Sequence, residues 1–337
     1  MTNARRKSLS SWVLGLLGAA VILGGGMWWG YNRWFLTPWL SSPMCVDISP
    51  TTPAPERLQR VMDQLEGVDR ASNLKTFLSL RGWEHRLKVG RYCFHPDESV
   101  RASATRMVTA DREAVRVVVR SGRDLGPIAG TMTRRLFADS SAMIELLGQD
   151  SILWRILPNT YELWWETDES GLIQRLIREH NAWWTEERHA SARALGLTPR
   201  EVTILASIVQ AETAALSEAP MVAGLYLNRL KLGMALQADP TLIFALNDPN
   251  IRRVLDVHKE VESPYNTYKY KGLPPGPIRV VDPRYIQSVL HPAQHDHLYM
   301  CAEPGGDGTH RFATTYREHL RNARAYQRWL NQQRIFR

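Results

Sequence analysis

Glu212 is the residue whose setting first suggests chemistry. Stepping by three and four from Val202 gives Leu205, Val209 and then Glu212, so a lone carboxyl falls on an apolar helical stripe near the helix C-terminus. The surrounding run of Val202, Ile204, Leu205, Ala206, Ile208, Val209 and Ala211 is apolar almost all round, the pattern of a buried helix. Burial disfavours an ionised carboxyl, and the negative end of the helix dipole pushes the same way. The expectation is an acid that keeps its proton near neutral pH and can donate it. A buried Glu paired with Arg would also be perturbed, so helix position alone leaves a structural reading open. Glu218 is the next acid. On a continuous helix it lies about 240° around from Glu212, at 100° per residue, and points elsewhere. Only a break near Ser217 brings it back as an auxiliary group.

Three histidines in seven residues, His291, His295 and His297, together with His310, invite a metal test. No HExxH-type helix accompanies them and Pro292 interrupts the run, so no metal or other cofactor is expected. Cys45, Cys93 and Cys301 are far apart and odd in number, with neither metal spacing nor a disulfide framework. One bridge at most is possible, and three buried thiols are the default expectation.

The elements that must position Glu212 are marked by local signals. Thr198, Pro199 and Glu201 form a capping-box start for its helix. A second helix comes next, with Ser217 as cap, Pro220 in the first turn, apolar period through Met221, Val222, Leu225, Tyr226 and Leu230, and Gly233 as stop. Asp239 and Pro240 read as the cap and first position of a short helix over 242–246. Between 272 and 278, three prolines and two glycines exclude helix and central strand; a rigid loop there would hold its neighbours still beside a reacting centre.

Upstream, helices are expected over 56–65, 71–80, 99–110, 134–147 and 171–184. An alternating run is interrupted by Gly90, and a strand covers 113–120. Strand, helix, strand within 89–120 makes a small α+β module. Tyr161, Trp164 and Trp165 form an aromatic cluster that either packs a domain junction or stacks on a ligand.

With 337 residues, 44% of them apolar, the chain suffices for two compact domains. Its net charge of +8, from 42 basic and 34 acidic residues, suits an anionic partner. Aromatic and basic residues are not interleaved as in nucleic-acid motifs, so no nucleic acid is expected. Residues 8–32 carry no charge, and Trp12 to Gly30 is a nineteen-residue apolar window, long enough to span a bilayer. Arg5, Arg6 and Lys7 precede it, so the amino terminus is expected to stay cytoplasmic, with Trp28, Trp29, Tyr31 and Trp34 as an outer interfacial belt. The apolar run is longer than a signal-peptide core, which favours an uncleaved single-pass anchor. Pro38, Pro43, Pro50, Pro53 and Pro55 then suggest a stiff, extended linker over 31–56.

The runs ASIVQAETA, SEAPMVAGLYLNRL and MALQADPT, with SPYNTYKYKGLPPGPI after them at 263–278, resemble the endolytic murein transglycosylases, the MltG/YceG-like membrane-bound lytic enzymes of bacteria. The likeness extends from about Leu87 onward. Many relatives carry a Glu two positions before the motif's catalytic acid, where this chain has Gln210. The resemblance implies that Glu212 is the catalytic acid and that the substrate is the peptidoglycan glycan strand. Asn228, Gln237, Tyr265, Asn266, Thr267 and Glu218 become candidates for touching it. Asn266 and Thr267 can each hydrogen-bond a sugar hydroxyl or acetamido group, or merely close turns. Pro158-Asn159-Thr160-Tyr161 is similar to the family's Pro-Asp-Thr-Tyr signature, with Asn in place of Asp. The resemblance also implies a LysM-like module whose first strand is the VGRYCF run. Peptidoglycan synthases are then possible partners, and the catalytic domain lies on the extracytoplasmic side of the inner membrane.

The expected architecture is α+β. It comprises a cytoplasmic tail (1–11), a transmembrane helix (12–30), a Pro-rich linker (31–56) and the LysM-like module (57–125). A helical connection (126–197) then leads to a larger mixed catalytic domain (198–337) built on the buried helix that carries Glu212.

Overall fold

The computed structural model describes residues 4–248, 251, 254–305 and 308–333. The first three residues of the expected tail and the last four of the expected catalytic domain lie outside them. Helix α1 (Ala4–Tyr31) runs on into one π-helical turn at Asn32–Leu36. The stretch Trp12–Leu36 has a mean hydropathy of 1.6 in its most apolar window and buries none of that window against the rest of the chain. A helix that is apolar on every face and exposed on every face is suited to lipid rather than water, and this one is long enough to cross a bilayer.

The chain forms two compact units. One holds the described residues up to Val115 together with Glu162–Thr167; the other holds Arg116–Tyr161 and the described residues from Asp168 on. In the first unit, β1 (Met44–Ile48) precedes α2 (Arg57–Gln64) and α3 (Ala71–Leu80), and β2 (Gly90–Phe94) precedes α4 (Val100–Thr109). β1 and β2 pair antiparallel with Val46 opposite Tyr92. Val46, Ile48, Tyr92 and Phe94 alternate inward onto Val61, Leu74, Phe77, Leu78 and Met107. Ser99 caps α4 by accepting the Ala102 N–H.

Three expectations change here. The 31–56 stretch is no free linker: Phe35, Trp39 and Leu40 are buried in the same core, and Trp39 Nε1 donates to Ser103 Oγ at 3.0 Å. Its prolines punctuate short elements, as Pro55 does in a short 3-10 turn at Ala54–Glu56. The VGRYCF run is the second strand of its pair, not the first, because β1 lies upstream within the supposed linker. Cys45 and Cys93 face each other in that register and form a disulfide, so only Cys301 is a free thiol. Cross-strand register brings together two cysteines that sequence spacing keeps apart.

β3 (Ala114–Val119) pairs with β4 (Asn159–Trp164) rather than with β2. Between them lie α5 (Leu125–Thr133), α6 (Ser140–Leu147) and the single turn α7 (Asp150–Leu153). The helix expected from 134 begins only at Ser140, because the Asp139 carboxylate caps the Ala142 N–H. The expected helical connection therefore also contains a strand. In the first unit, the guanidinium of Arg112 lies over Trp164 and that of Arg91 over Trp165.

The second unit continues through α8 (Glu169–Trp183), α9 (Glu186–Ala194), α10 (Pro199–Glu212), α11 (Ala219–Lys231), α12 (Asp239–Leu246) and α13 (Pro283–Leu290). The hairpin β5 (Tyr299–Ala302) and β6 (His310–Ala313) comes next, then α14 (Tyr316–Gln332). α10 is the core helix. Its capping box is formed as the sequence predicts, and Val202, Leu205, Ala206, Ile208 and Val209 are buried among residues of α11 and α13. The proline-rich loop grips this helix: Ser207 Oγ accepts the Ile278 N–H at 3.1 Å, and Arg200 donates to the Pro275 carbonyl at 2.7 Å. Gln210 ties in two further segments, donating to Ser121 Oγ and accepting the Asp282 N–H. Gln210 is thus engaged in holding the fold.

Candidate active site

α10 ends at Glu212, and the next helix starts only at Ala219. The intervening turn is pinned by the Tyr285 hydroxyl, which donates to the carbonyls of Thr213 and Ala214. Ser217 caps nothing: the N-cap of α11 is Glu218, with no side-chain cap bond. This break is the one that releases Glu218 from helical geometry.

Glu212 stands on the wall of a cavity of about 320 Å³. Its side chain is half-buried rather than fully sequestered, since the carboxyl opens on that cavity. α11 adds Leu225, Tyr226 and Arg229; Leu236, Gln237, Asp239 and Tyr268 form a second wall; β5, His310, Tyr316 and His319 form a third. Tyr226, buried, donates from its hydroxyl to Glu212 Oε1 at 2.7 Å, which leaves the other carboxyl oxygen for a ligand. Burial raises the Glu212 carboxyl from an ordinary 4.5 to about 7, and the negative charge of Asp239 adds to the rise. The Tyr226 hydrogen bond, His310 and Arg229 pull the other way without cancelling it. The Tyr226 phenol is itself pushed well up by burial and by the neighbouring Glu212, so it stays a donor.

Arg229 fastens two walls together. Its Nε donates to the Leu298 carbonyl and one terminal nitrogen to the Leu236 carbonyl, each at 2.6 Å. Asp239 is the first residue of α12 rather than its cap, and its carboxylate accepts the Tyr268 hydroxyl at 2.5 Å. Gln237 is exposed and takes a positive φ of 51°, a conformation that costs a residue with a Cβ. The Thr267 carbonyl holds it there by accepting its N–H.

The other residues singled out from the sequence are spread more widely. Of the orienting candidates, only Gln237 lines the cavity with Glu212. Asn266 is fully buried and spends its amide on the fold, donating to the Lys259 and Val261 carbonyls and accepting from the Tyr268 and Lys269 N–H groups. Thr267 is buried as well, its hydroxyl shared between the Ala238 N–H and Thr241. Asn228 donates to the carbonyls of His295 and His297. Tyr265 lines a different cavity with Phe244 and Ile278. Glu218 sits behind the cavity wall, bonded to His310. The proline-rich loop is not among the lining residues; it acts on α10 instead.

The histidine cluster also serves the fold. His295 Nδ1 accepts the His297 N–H, and Nε2 lies 3.0 Å from the Met221 carbonyl oxygen. The described residues include no group of three or more His, Cys, Asp or Glu placed to hold a metal ion. Tyr226, Asp239, Tyr268 and His310 are cavity residues that the sequence does not mark as such. Tyr226 carries the one visible signal, a phenol on an otherwise apolar helix face.

Comparison with known proteins converges on one family. The model of the YceG-like family matches residues 51–325. The chain is similar to the endolytic murein transglycosylase of Bacillus subtilis (strain 168), with 31% identity over 161 residues, 48% of this chain and 44% of that one. It is similar also to the protein of the same description from Streptococcus pneumoniae serotype 2, with 30% identity over 191 residues, 55% of this chain and 33% of that one. The matched stretch thus spans less than half the length of either relative. Among solved structures, the 2.6 Å crystal structure of the yceG-like protein lmo1499 from Listeria monocytogenes has the same fold. Its TM-score is 0.52 at 21% identity, covering 83% of this chain and 99% of that one. With most of its length matched, the chain belongs to the YceG-like family.

Proposed function

We propose that the protein is a lytic transglycosylase that cleaves the β-1,4 bond between N-acetylmuramic acid and N-acetylglucosamine within peptidoglycan strands, without water. The carrying observation is Glu212: a carboxyl that keeps its proton up to about pH 7, on the wall of a cavity, with one oxygen held by Tyr226. Protonated Glu212 gives its proton to the glycosidic oxygen as the bond to muramyl C1 breaks. The carboxylate left behind takes the proton of the muramyl C6 hydroxyl, whose oxygen closes on C1. The products are a free 4-hydroxyl on the departing sugar and a 1,6-anhydro ring, and Glu212 is again protonated. No second carboxylate is required, because the substrate carries its own nucleophile. Gln237 is the orienting candidate that shares the cavity.

The relatives' description as endolytic murein transglycosylases supports this reading. The apolar helix α1 would anchor the protein in the cytoplasmic membrane, amino terminus inside. The Cys45–Cys93 disulfide suits an oxidising, extracytoplasmic location for the chain beyond α1. The first unit would act as a LysM-like module that holds the glycan, and wall synthases would be natural partners.

Asp239 favours one alternative. A second carboxylate in the same cavity is what a water-using muramidase needs. Digestion of purified peptidoglycan and mass spectrometry of the products separate the two. Anhydro ends are lighter by one water than reducing ends, and their absence from the digest rules the transglycosylase reading out. Under that reading Glu212→Gln abolishes product, whereas Asp239→Asn does not change its mass.

A further inference from the structure

His310 faces the same cavity as Glu212, and two contacts to one carboxylate hold it there. It opens β6, opposite Ala302 of β5. Its backbone N–H donates to Glu218 Oε1 at 2.6 Å, while its ring Nδ1 lies 2.8 Å from Glu218 Oε2. Both oxygens of a buried side chain are thus committed to one residue. Glu218 stands at the break between α10 and α11, so the same turn that ends the Glu212 helix also supplies the clamp on His310.

The clamp fixes the orientation of the ring. A carboxylate can only accept, so Nδ1 carries a hydrogen, and Nε2 is the ring nitrogen left to bond a ligand. Among the described residues Nε2 has no protein hydrogen-bond partner. A ring oriented through its far nitrogen by a buried carboxylate is the arrangement used to present the near nitrogen to a ligand. The cavity therefore offers a proton donor on one wall and an oriented imidazole on another.

We infer that His310 Nε2 hydrogen-bonds a hydroxyl of the amino sugar bound against Glu212, and that Glu218 is the positioning residue that aims it. This rests on the reading of Glu212 as the acid of the site. Glu218, which the break after α10 frees from helical geometry, then acts on the substrate through His310.

His310→Asn tests it, because an Asn amide can keep the N–H directed at Glu218 while offering nothing at the Nε2 position. Binding of purified glycan strands is compared for full-length Glu212→Gln with and without His310→Asn. KM and kcat are measured for His310→Asn alone. A contact to substrate predicts binding weaker by about tenfold, the worth of one buried hydrogen bond. KM should rise more than kcat falls, and His310→Gln, whose amide reaches the Nε2 position, should recover part of the loss. A loss below about threefold with His310→Asn overturns the inference, since the fold-holding contact is kept in that variant. If Glu212→Gln is inactive while His310→Asn binds normally, only the inference fails; if Glu212→Gln still cleaves, both fail.

Discussion

The Tyr226 hydroxyl donates to Glu212 Oε1 across 2.7 Å, joining the last residue of α10 to the middle of α11. That one bond favours the ionised carboxyl in a place where burial favours the neutral one. It also determines which oxygen is left to carry the transferable proton.

Tyr226→Phe removes the bond while keeping the ring. Glu212 should then hold its proton to higher pH, by about 0.7 pH unit for a bond worth roughly 1 kcal/mol. The alkaline limb of the kcat/KM profile, expected near 7 in the wild type, should move upward. A limb that stays in place or moves down contradicts the assigned direction.

Glu212 also links stability to pH. Its folded value of about 7 lies above the ordinary 4.5, so the folded state binds this proton more tightly than the unfolded chain. Its contribution is fully present below about 4.5 and is lost as pH rises through about 7. The wild type should therefore lose melting temperature relative to Glu212→Gln across that window, and the difference should level off above it. Parallel melting curves from about pH 4 to about pH 8.5, conditions that bracket both values, check this.

How much of the site is legible in the sequence depends on how far apart its contacts lie along the chain. The α10 capping box and the stripe ending at Glu212 depend on residues three and four apart, and both are legible. The opposite walls are not: Asp239, Tyr268 and His310 meet Glu212 only through tertiary packing. The angular argument against Glu218 holds for a continuous helix and fails at the break before Ala219. Asn266 and Thr267 show that side-chain type reveals a capacity to hydrogen-bond but not the partner, which here is the backbone around them. The Cys45–Cys93 bridge depends on strand register, which spacing does not reveal.

Gly224 gives a prediction about the fold around the site. A Cβ there would come within 2.5 Å of the Ala293 carbonyl oxygen and 2.7 Å of His295 Nε2, because the 291–297 segment lies directly on α11. Gly224→Ala should cost about 1–3 kcal/mol despite its better helix propensity, as overpacking does. Urea denaturation measures it; an unchanged or raised midpoint contradicts the packing.

The Cys45–Cys93 bridge closes a loop across 48 positions of the first unit. Chain entropy alone assigns such a loop roughly 4 kcal/mol. Replacing both cysteines by serine should lower the unfolding midpoint of that unit accordingly, and added reductant should lower the wild type but not the double variant. Equal midpoints with and without the bridge would contradict it.

Catalysis of this kind depends above all on a carboxyl that keeps its proton near neutrality. Infrared difference spectra of the wild type against Glu212→Gln, recorded across pH, isolate the signal of that one group. The prediction is a protonated-carboxyl band that disappears with a midpoint near 7. A band already lost near the ordinary 4.5 would contradict the role given to Glu212.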